Sequence, residues 1–248
     1  MWYRRVIGGE RTPIVDTWWQ TETGGIMISP LPGVTTCKPG SAMGPLPGIG
    51  AAVVDDHGDP VGPGGGGYLV LTEPWPAMLR GIWGDNQRYV DTYWSRWPGV
   101  WVHGDWATVD EDGYWYVQGR SDDTLKIAGK RLGPAEVESV LVAHPAVAEA
   151  AAIGVPHEIK GEAVVCFVVL KPGRSPSEPL REELKEQVVK HLGKTLKPEA
   201  LKFVRMLPKT RSAKIVRGAI KKAWLGETPG DTASIENPDA LEEISKAT

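Results

Sequence analysis

Near the start of the chain, a run of small polar residues follows two adjacent tryptophans in the stretch VDTWWQTETGG, residues 15–25. A polar turn that ends in two glycines can offer hydroxyl and backbone N–H groups to a phosphate. Glu22 adds a carboxylate that could hold a divalent cation, and the tryptophans could wall an apolar pocket. A tryptophan-rich turn that only packs a core explains the composition equally well, so both interpretations stay open at this point.

Four further segments carry groups that could do chemistry. Asp105, in HGDW, follows a strand-like run, where a carboxylate can accept hydrogen bonds from the vicinal hydroxyls of a ribose. Segment 119–133 concentrates arginines and lysines beside aspartates and glycines. Segment 208–217, PKTRSAKIVR, places cations at the start of a predicted helix, where the helix dipole disfavours them and anion binding would account for them. His144 ends another predicted helix. The structural alternatives are a turn aspartate, a charged interdomain turn, a solvated basic face and a helix cap.

Composition bounds the class of protein. The chain has 248 residues, 41% hydrophobic and 24% charged, with a net charge of −3, which is typical of a globular protein and offers no strong field to nucleic acid or anionic membrane. The longest apolar run, 163–170, is too short to span a bilayer. The first residues lack the apolar core of a signal peptide, and Cys37 and Cys166 form no metal-ligand pattern. We therefore expect a cytoplasmic protein.

The first half must position its chemistry with short strands and turns, because most of the 30 glycines, 21 prolines and 11 tryptophans lie there. The apolar alternation predicts a compact β-barrel or distorted sheet, and DEDG at 110–113 predicts a hairpin turn. A short helix is predicted over 85–97. The predicted strands cover 49–54, 68–72, 100–103, 107–109 and 115–119.

The second half predicts a small α+β domain that begins near 119–123. Its predicted order is helix, strand, strand, helix, strand, helix. Pro134 suits the first turn of the first helix, Ser177 is placed to cap the second, and Gly193 to end it. A last helix is predicted over 238–246 in the acidic tail, with Asn237 as its cap.

Taken in order, five segments resemble one known family. DTWWQTETGG, GYLVL, HGDWATVDEDGYWYVQGRSDD, KIAGKRLGPAEVE and LPKTRSAKI are similar to the C-terminal portion of the acetyl-CoA synthetases, the AMP-forming acetate–CoA ligases of the adenylate-forming superfamily. Each segment alone is weak evidence, whereas five in the family's order, together with the tail at 230–244, are specific. The resemblance covers essentially the whole chain.

The resemblance implies a fold and a reaction. Residues 1–121 would form the β-rich, barrel-like end of the large AMP-binding domain, 122–226 a mobile lid, and 227–248 a tail. Acetate would attack the α-phosphate of ATP to give acetyl-AMP and pyrophosphate, and the thiol of CoA would then displace AMP. Between the two half-reactions the lid would swing through a large angle. ATP or AMP, CoA and Mg²⁺ are the implied cofactors.

The resemblance also implies roles for individual residues. Lys214 would be the catalytic lysine of adenylation and an acetylation switch, and Asp122 the hinge. Trp19 would floor the acyl pocket and keep it short enough for acetate. Nucleotide contacts are implied for Asp16, Thr17, Trp18, Trp19, Gln20, Thr21, Asp105, Arg120 and Arg131, CoA contacts for Ala128, Gly129 and Lys190, a Mg²⁺–ATP contact for Glu22, and a structural magnesium site for Val142, His144 and Val147.

Three positions depart from the family pattern. Ala213 stands where the family usually has the glycine before its lysine, and a methyl group is tolerated there if φ is negative. Ala128 replaces a serine that touches CoA. Val189 replaces an arginine expected near the 3′-phosphate of CoA, with Lys190 adjacent as a substitute. The CoA contacts therefore follow the family least closely.

The family's phosphate-binding loop, rich in serine, threonine and glycine, has no counterpart in the chain. We therefore expect no ligase turnover from this chain alone, and a partner chain could supply the absent part. Two alternatives stay open. The chain could be a non-catalytic remnant or nucleotide-binding module, or it could belong to a ligase for propionate.

Overall fold

A computed structural model of the protein describes residues 1–128, 130–230 and 232–247, apart from the side chains of residues 103 and 130. The chain divides into two compact units, Met1–Ser121 and Asp122–Thr248. Both helix and sheet occur in the described residues, as the predicted α+β class requires. None of the described helices has the length and apolar character that a membrane span needs.

The first unit consists of short strands joined by glycine- and proline-rich turns. Strands β3 to β6 form one antiparallel sheet in chain order, and β1 pairs with β2 in a separate ribbon. Asp110 and Gly113 close the predicted hairpin turn between β5 and β6, where the Gly113 N–H donates to the Asp110 carbonyl at 2.9 Å. The elements are α1 Trp2–Val6, β1 Trp18–Trp19, β2 Ile26–Ile28, β3 Ala51–Val54, β4 Gly66–Leu71, α2 Asn86–Tyr93, β5 Trp101–Val109 and β6 Trp115–Arg120.

Two expectations for this unit need correction. The sheets formed by the described residues are open, so the predicted β-barrel is wrong; a four-stranded sheet has too few strands to close on itself. The strands predicted at 100–103 and 107–109 are one strand, β5. Its pairing to β4 shifts between Leu69, opposite Asp105, and Val70, opposite Val102, so two residues of β5 form a bulge in the pairing. Gly104 lies in this bulge with φ of +81°.

Tryptophans fill the core of the first unit, which explains their abundance there. Trp101 is 1% exposed and stacks on the ring of Tyr93, with ring centroids 4.3 Å apart. The rings of Trp75 and Trp94 meet Trp101 edge to face, at 5.4 and 5.5 Å. Such edge-to-face and stacked pairs add to the free energy that burial alone contributes. A few large rings therefore replace the many aliphatic side chains that longer strands would supply.

The second unit is built around the long hairpin of β9 and β10. β10 pairs antiparallel with β9 and parallel with β11, and the β7–β8 hairpin joins β10 at Gly161. The predicted helix–strand order is confirmed, while the β7–β8 hairpin is an addition within segment 119–133. The elements are β7 Leu125–Ile127, β8 Lys130–Leu132, α3 Pro134–Val142, β9 Val147–His157, β10 Gly161–Leu170, α4 Glu178–Leu192, β11 Ala200–Phe203, α5 Arg217–Trp224 and α6 Asp239–Lys246.

Alternate side chains of β10 enter two different cores. Val164 and Cys166 face the apolar sides of α3 and α4, whereas Val165 and Phe167 face α5 and α6. This alternation is the two-residue period of a strand buried on both faces. Burial raises the pKa of the Cys166 thiol, which therefore stays a neutral core group. Two helices on each face complete a three-layer unit.

The predicted cap of helix α4 is present in the structure, whereas the predicted cap of helix α6 is not. The Ser177 hydroxyl accepts the Leu180 N–H at 3.4 Å and Gly193 ends α4, so both predictions are confirmed. The expectation that Asn237 caps α6 is wrong. Its side chain instead bonds to the backbone of residues 207 and 209, far back along the chain.

Candidate nucleotide and acyl site

The VDTWWQTETGG stretch folds into a tight turn held by one buried hydroxyl. Residues Thr21–Thr23 form a single 3-10 turn, and Gly24 follows with φ of +67°, which favours glycine. Thr23 is fully buried, and its hydroxyl accepts the Gln20 N–H at 2.9 Å. The same hydroxyl lies 2.8 Å from the Gln20 carbonyl and 2.9 Å from the Gly25 carbonyl. Thr23 was not singled out from the sequence, although its place in a polar turn before two glycines was the available signal.

Asp105 is fixed by two side chains of this turn. The indole Nε1–H of Trp18 and the amide Nε2–H of Gln20 both donate to Asp105 Oδ2, at 3.0 and 2.5 Å. Because the bulge in β5 re-aims the strand at this point, a residue far along the chain meets the turn. Oδ1 of Asp105 accepts no hydrogen bond from the residues that the structure describes. The carboxylate is thus oriented by one oxygen and available to a ligand hydroxyl through the other.

Glu22 is linked to the aromatic core by Tyr93. The Tyr93 hydroxyl lies 3.2 Å from Glu22 Oε1 and donates to it. Burial, with a contribution from the Glu22 charge, raises the pKa of Tyr93, so the phenol keeps its proton. The stacking of Tyr93 on Trp101 in turn fixes the phenol. Tyr93 is a positioning residue that sequence patterning could not identify, because its partner lies 71 positions away.

The remaining predicted residues of this turn are accessible. Asp16, Thr17 and Thr21 are exposed. Trp19 is 59% exposed. In the β1–β2 ribbon it lies opposite Ile26, whose exposed fraction is 45%. Arg120 ends β6 opposite Asp105, and a side chain at Gly104 would come within 3.0 Å of its guanidinium. The turn, Asp105 and Arg120 therefore lie together, with one exposed indole beside them.

Lys214 lies at the end of a narrow turn that precedes α5. Lys209 and Ile215 pair across it, and the Thr210 N–H donates to the Lys214 carbonyl at 2.9 Å. The Ala213 N–H donates to the Thr210 carbonyl at 2.8 Å, and Ala213 has φ of +62°. The condition under which a methyl group would be tolerated here, a negative φ, is therefore not met at Ala213. The turn is a three-residue hairpin loop whose last position is left-handed and usually glycine.

The side chain of Lys214 is exposed and forms no hydrogen bond or ion pair within the described part of the chain. Its ammonium group is therefore free to meet an anionic ligand. Elsewhere in the second unit, Asp122 is exposed, Arg131 is half-buried on β8, and Lys190 is exposed on α4. Ala128 joins β7 to β8 with φ of +48°, and Gly129 lies outside the described residues.

The groups expected to hold magnesium differ in how well they fit it. Glu22 offers a carboxylate oxygen, the ligand that Mg²⁺ prefers beside substrate phosphates. The ring of His144 is engaged on both sides. Its Nδ1 accepts the Ala146 N–H at 3.2 Å, and its Nε2 lies 3.2 Å from Glu183 Oε1. With no lone pair free, the imidazole does not fit a magnesium ligand between Val142 and Val147. No cluster of three or more His, Cys, Asp or Glu that could hold a metal occurs in the described residues.

Comparisons with known proteins show which families the chain is similar to. The family model of the AMP-binding enzymes matches residues 1–83, and that of the AMP-binding enzyme C-terminal domain matches 136–214. Acetyl-coenzyme A synthetase of Pyrobaculum arsenaticum is 52% identical over 99% of this chain and 37% of its own length. That of Streptomyces coelicolor is 51% identical over 98% of this chain and 38% of its own length.

Solved structures show the same similarity. Acetoacetyl-CoA synthetase from Streptomyces lividans superposes with a TM-score of 0.85 at 26% identity, over 99% of this chain and 38% of its own. The anthranilate CoA ligase AuaEII, in complex with anthranoyl-AMP, superposes with a TM-score of 0.71 at 34% identity, over 87% of this chain and 39% of its own.

Fold and similarity together place the chain among the AMP-binding, adenylate-forming enzymes. Within that class it belongs to the acetyl-coenzyme A synthetase family and corresponds to the C-terminal portion of its members. It spans 37% of the length of the Pyrobaculum arsenaticum relative.

Proposed function

We propose that the chain is the C-terminal portion of a cytoplasmic acetate–CoA ligase, which forms acetyl-CoA from acetate, ATP and CoA through acetyl-AMP. The observation that carries the proposal is the orientation of Asp105. Trp18 and Gln20 hold one of its carboxylate oxygens and leave the other toward a ligand hydroxyl. Two hydrogen bonds to one carboxylate oxygen fix the orientation of the Asp105 side chain. This supports a role in ligand binding rather than a purely structural role in a turn.

In this proposal the first unit binds the nucleotide and the acyl group. Asp105 accepts a hydrogen bond from a ribose hydroxyl, and Arg120 makes a second contact on the ribose side. Thr21 lies near the α-phosphate, and Glu22 supplies a carboxylate oxygen to the magnesium that accompanies ATP, whose charge offsets that of the phosphates. Trp19 contacts the acyl group through its exposed indole and restricts the acid to a short one. Asp16 and Thr17 flank the nucleotide.

The second unit supplies the charge that adenylation requires. Lys214 meets the acyl carboxylate and the α-phosphate, where its ammonium group offsets negative charge as the new bond forms. Asp122 acts as the hinge on which this unit, as a lid, turns between the two half-reactions. In this proposal Arg131 contacts the nucleotide, and Ala128 and Lys190 contact CoA. The CoA contact expected of Gly129 lies outside the described residues. We do not assign a magnesium role to His144, since both of its ring nitrogens are engaged.

The relatives are longer than this chain, which spans 37% of the Pyrobaculum arsenaticum relative. We propose that the activity needs the portion of the relatives that this chain does not match, supplied by the same or by a separate polypeptide. The chain alone should then give no acetate-dependent exchange of pyrophosphate into ATP. Clear exchange by the purified chain would contradict this part of the proposal.

The role of Lys214 has a direct test. The chain is mixed with the N-terminal portion of the Streptomyces coelicolor relative, and both half-reactions are measured. We expect Lys214→Ala to abolish pyrophosphate exchange, a loss of at least about a hundredfold, and to spare acetyl-CoA formation from supplied acetyl-AMP. Lys222→Ala, which removes another exposed lysine on α5, is the control and should change neither rate. Equal loss of both steps in Lys214→Ala would contradict the assignment.

A ligase for propionate is the alternative that one observation favours, because Trp19 is 59% exposed. Comparing exchange rates with acetate and propionate in the same mixture separates the two. A nucleotide-binding module without catalysis would instead bind AMP and show no exchange in the mixture.

A further inference from the structure

The turn that carries Lys214 is closed by its own hydrogen bonds, among them those from the Lys214 N–H to the Thr210 hydroxyl at 3.2 Å and from the Val216 N–H to the Pro208 carbonyl at 3.0 Å. It is a two-stranded hairpin whose loop, Arg211 to Ala213, includes one residue at a positive φ of +62°. A hairpin of this kind is marginally stable by itself in water. Its conformation therefore depends on what packs along its outer edge.

The acidic tail supplies that edge. Thr210 pairs antiparallel with Ile235, and the Glu236 N–H donates to the Lys209 carbonyl at 2.8 Å. Asn237 then continues the pairing with its side chain. Its Oδ1 accepts the Lys209 N–H at 2.9 Å, and its Nδ2 donates to the Leu207 carbonyl at 2.9 Å. A side-chain amide carries one acceptor and one donor group, so it satisfies both backbone groups as a neighbouring strand would.

The tail is in turn anchored on both sides of this contact. Ile235 is 7% exposed and belongs to the core on the α5 side of the sheet. After Asn237, helix α6 buries Leu241 and Ile244 in the same core. Glu243 of α6 accepts the Arg205 N–H at 3.1 Å, two residues before the segment that Asn237 holds. The tail is thus a fixed strap across the strand that leads into the Lys214 turn.

We propose that Asn237 is a positioning residue for Lys214. It acts through the backbone of residues 207–210 and needs no contact with substrate. The relevance of Lys214 to adenylation rests on the proposed function, whereas the coupling of the tail to the turn does not. The asparagine amide fixes the register of the strap together with the Glu236 N–H bond to the Lys209 carbonyl, because apolar contacts alone would allow the strands to slide.

Residue-resolved amide hydrogen exchange on the whole chain tests the coupling without any ligase activity. In Asn237→Ala we expect the amides of residues 209, 210, 213 and 214 to exchange about tenfold faster or more, with the amides of β9 and β10 unchanged. Glu236→Ala is the matched control, because it removes an exposed side chain one position away and keeps the backbone N–H that bonds to Lys209. It should leave the same amides unchanged.

A conservative variant separates positioning from general destabilisation. Asn237→Asp keeps an acceptor for the Lys209 N–H and loses the donor to Leu207, so protection at residue 209 should be intermediate between wild type and Asn237→Ala. If Asn237→Ala does not fold, the same comparison is made with Asn237→Asp against Glu236→Ala. Unchanged exchange at residues 209–214, or an equal rise throughout the second unit, would overturn the proposal. A failure of ligase reconstitution would bear on the proposed function and leave this result standing.

Discussion

At the scale of single residues, the site depends on groups that orient other groups. Asp105 would be an ordinary strand aspartate without Trp18 and Gln20, which hold one of its oxygens. Of the two adjacent tryptophans, Trp18 is 7% exposed and donates to Asp105, whereas Trp19 is 59% exposed. Alternation along a strand thus divides the pair into one structural and one accessible indole.

This division predicts different effects of the same substitution at neighbouring positions. Trp18→Phe removes a hydrogen bond to a carboxylate and part of a buried ring, so we expect the free energy of unfolding to fall by about 2–3 kcal/mol. Trp19→Phe should change it by less than about 0.5 kcal/mol, because the indole is largely exposed. Urea unfolding followed by circular dichroism measures both. Equal losses at the two positions would contradict the assignment of the Asp105 contact to Trp18.

The backbone at Ala213 gives a second prediction. A left-handed conformation costs an L-residue about 1–2 kcal/mol, and glycine avoids this cost. Glycine also raises the conformational entropy of the unfolded chain, which offsets part of the gain in stability. Ala213, at φ of +62°, should therefore tolerate Ala213→Gly with a gain of up to about 1 kcal/mol in the free energy of unfolding.

Ala135→Gly is the control for Ala213→Gly, since Ala135 is exposed in the first turn of α3 and adopts ordinary helical geometry. Glycine there should lower the free energy of unfolding by about 0.5–1 kcal/mol. Chemical unfolding of both variants is the measurement. A loss at Ala213 as large as that at Ala135 would show that the positive φ carries no strain.

At the scale of secondary-structure elements, one ion pair ties α3, β9 and α5 together. Glu138 of α3 accepts two hydrogen bonds from Arg217, the first residue of α5, at 2.7 and 2.6 Å. It also accepts the Ala152 N–H of β9 at 2.9 Å. The hydrogen bonds to Glu138 raise the pKa of Arg217, whose side chain is 20% exposed. The pair fixes the start of α5, three positions after Lys214.

Removing one partner of this pair should be costly. Glu138→Leu leaves the Arg217 guanidinium without its carboxylate, and we expect the free energy of unfolding to fall by about 3–5 kcal/mol. The double substitution Glu138→Leu with Arg217→Met should lose less than Glu138→Leu alone, because no uncompensated charge is left behind. Glu242→Ala, which breaks the exposed Glu242–Lys246 pair, should cost under about 1 kcal/mol. Thermal or urea unfolding of the four proteins decides this, and a double variant less stable than the single one would contradict it.

At the scale of the whole molecule, each unit has its own cores. The buried core residues of the first unit lie between Trp18 and Val109, and those of the second lie between Leu125 and Ile244. The second unit buries both faces of its sheet with its own helices. A unit with a complete core of this size is expected to fold independently.

Residues 122–248 expressed alone should therefore unfold in one cooperative transition. Ile220→Ala, which empties part of the core on the α5 side, should lower its stability by about 2–4 kcal/mol and serves as the check that the native core has formed. Urea unfolding followed by both near- and far-ultraviolet circular dichroism measures the cooperativity of the transition and the loss of stability in Ile220→Ala. A broad transition that Ile220→Ala does not shift would contradict independent folding.

Local features of the fold followed from the sequence because their causes are local. The Ser177 cap, the Gly193 stop and the turn at 110–113 each depend on a few adjacent residues. The helix–strand order of the second unit followed from apolar periodicity. The β7–β8 hairpin escaped prediction because its short strands are paired by contact with β10, and charged residues conceal their pattern.

The site divides in the same way. The sequence by itself determined which residues we propose for the chemistry, Asp105, Glu22 and Lys214 among them, because motif order and residue type are properties of the chain. Only the tertiary structure decided how those residues are held: Asp105 by Trp18 and Gln20, Glu22 by Tyr93, and the Lys214 turn by Asn237. These partners are separated by 28 to 87 positions, and no local pattern encodes which distant donor a given carboxylate or backbone group will meet. Folding brings them together through the bulge in β5 and the burial of α6, and that arrangement exists only in three dimensions.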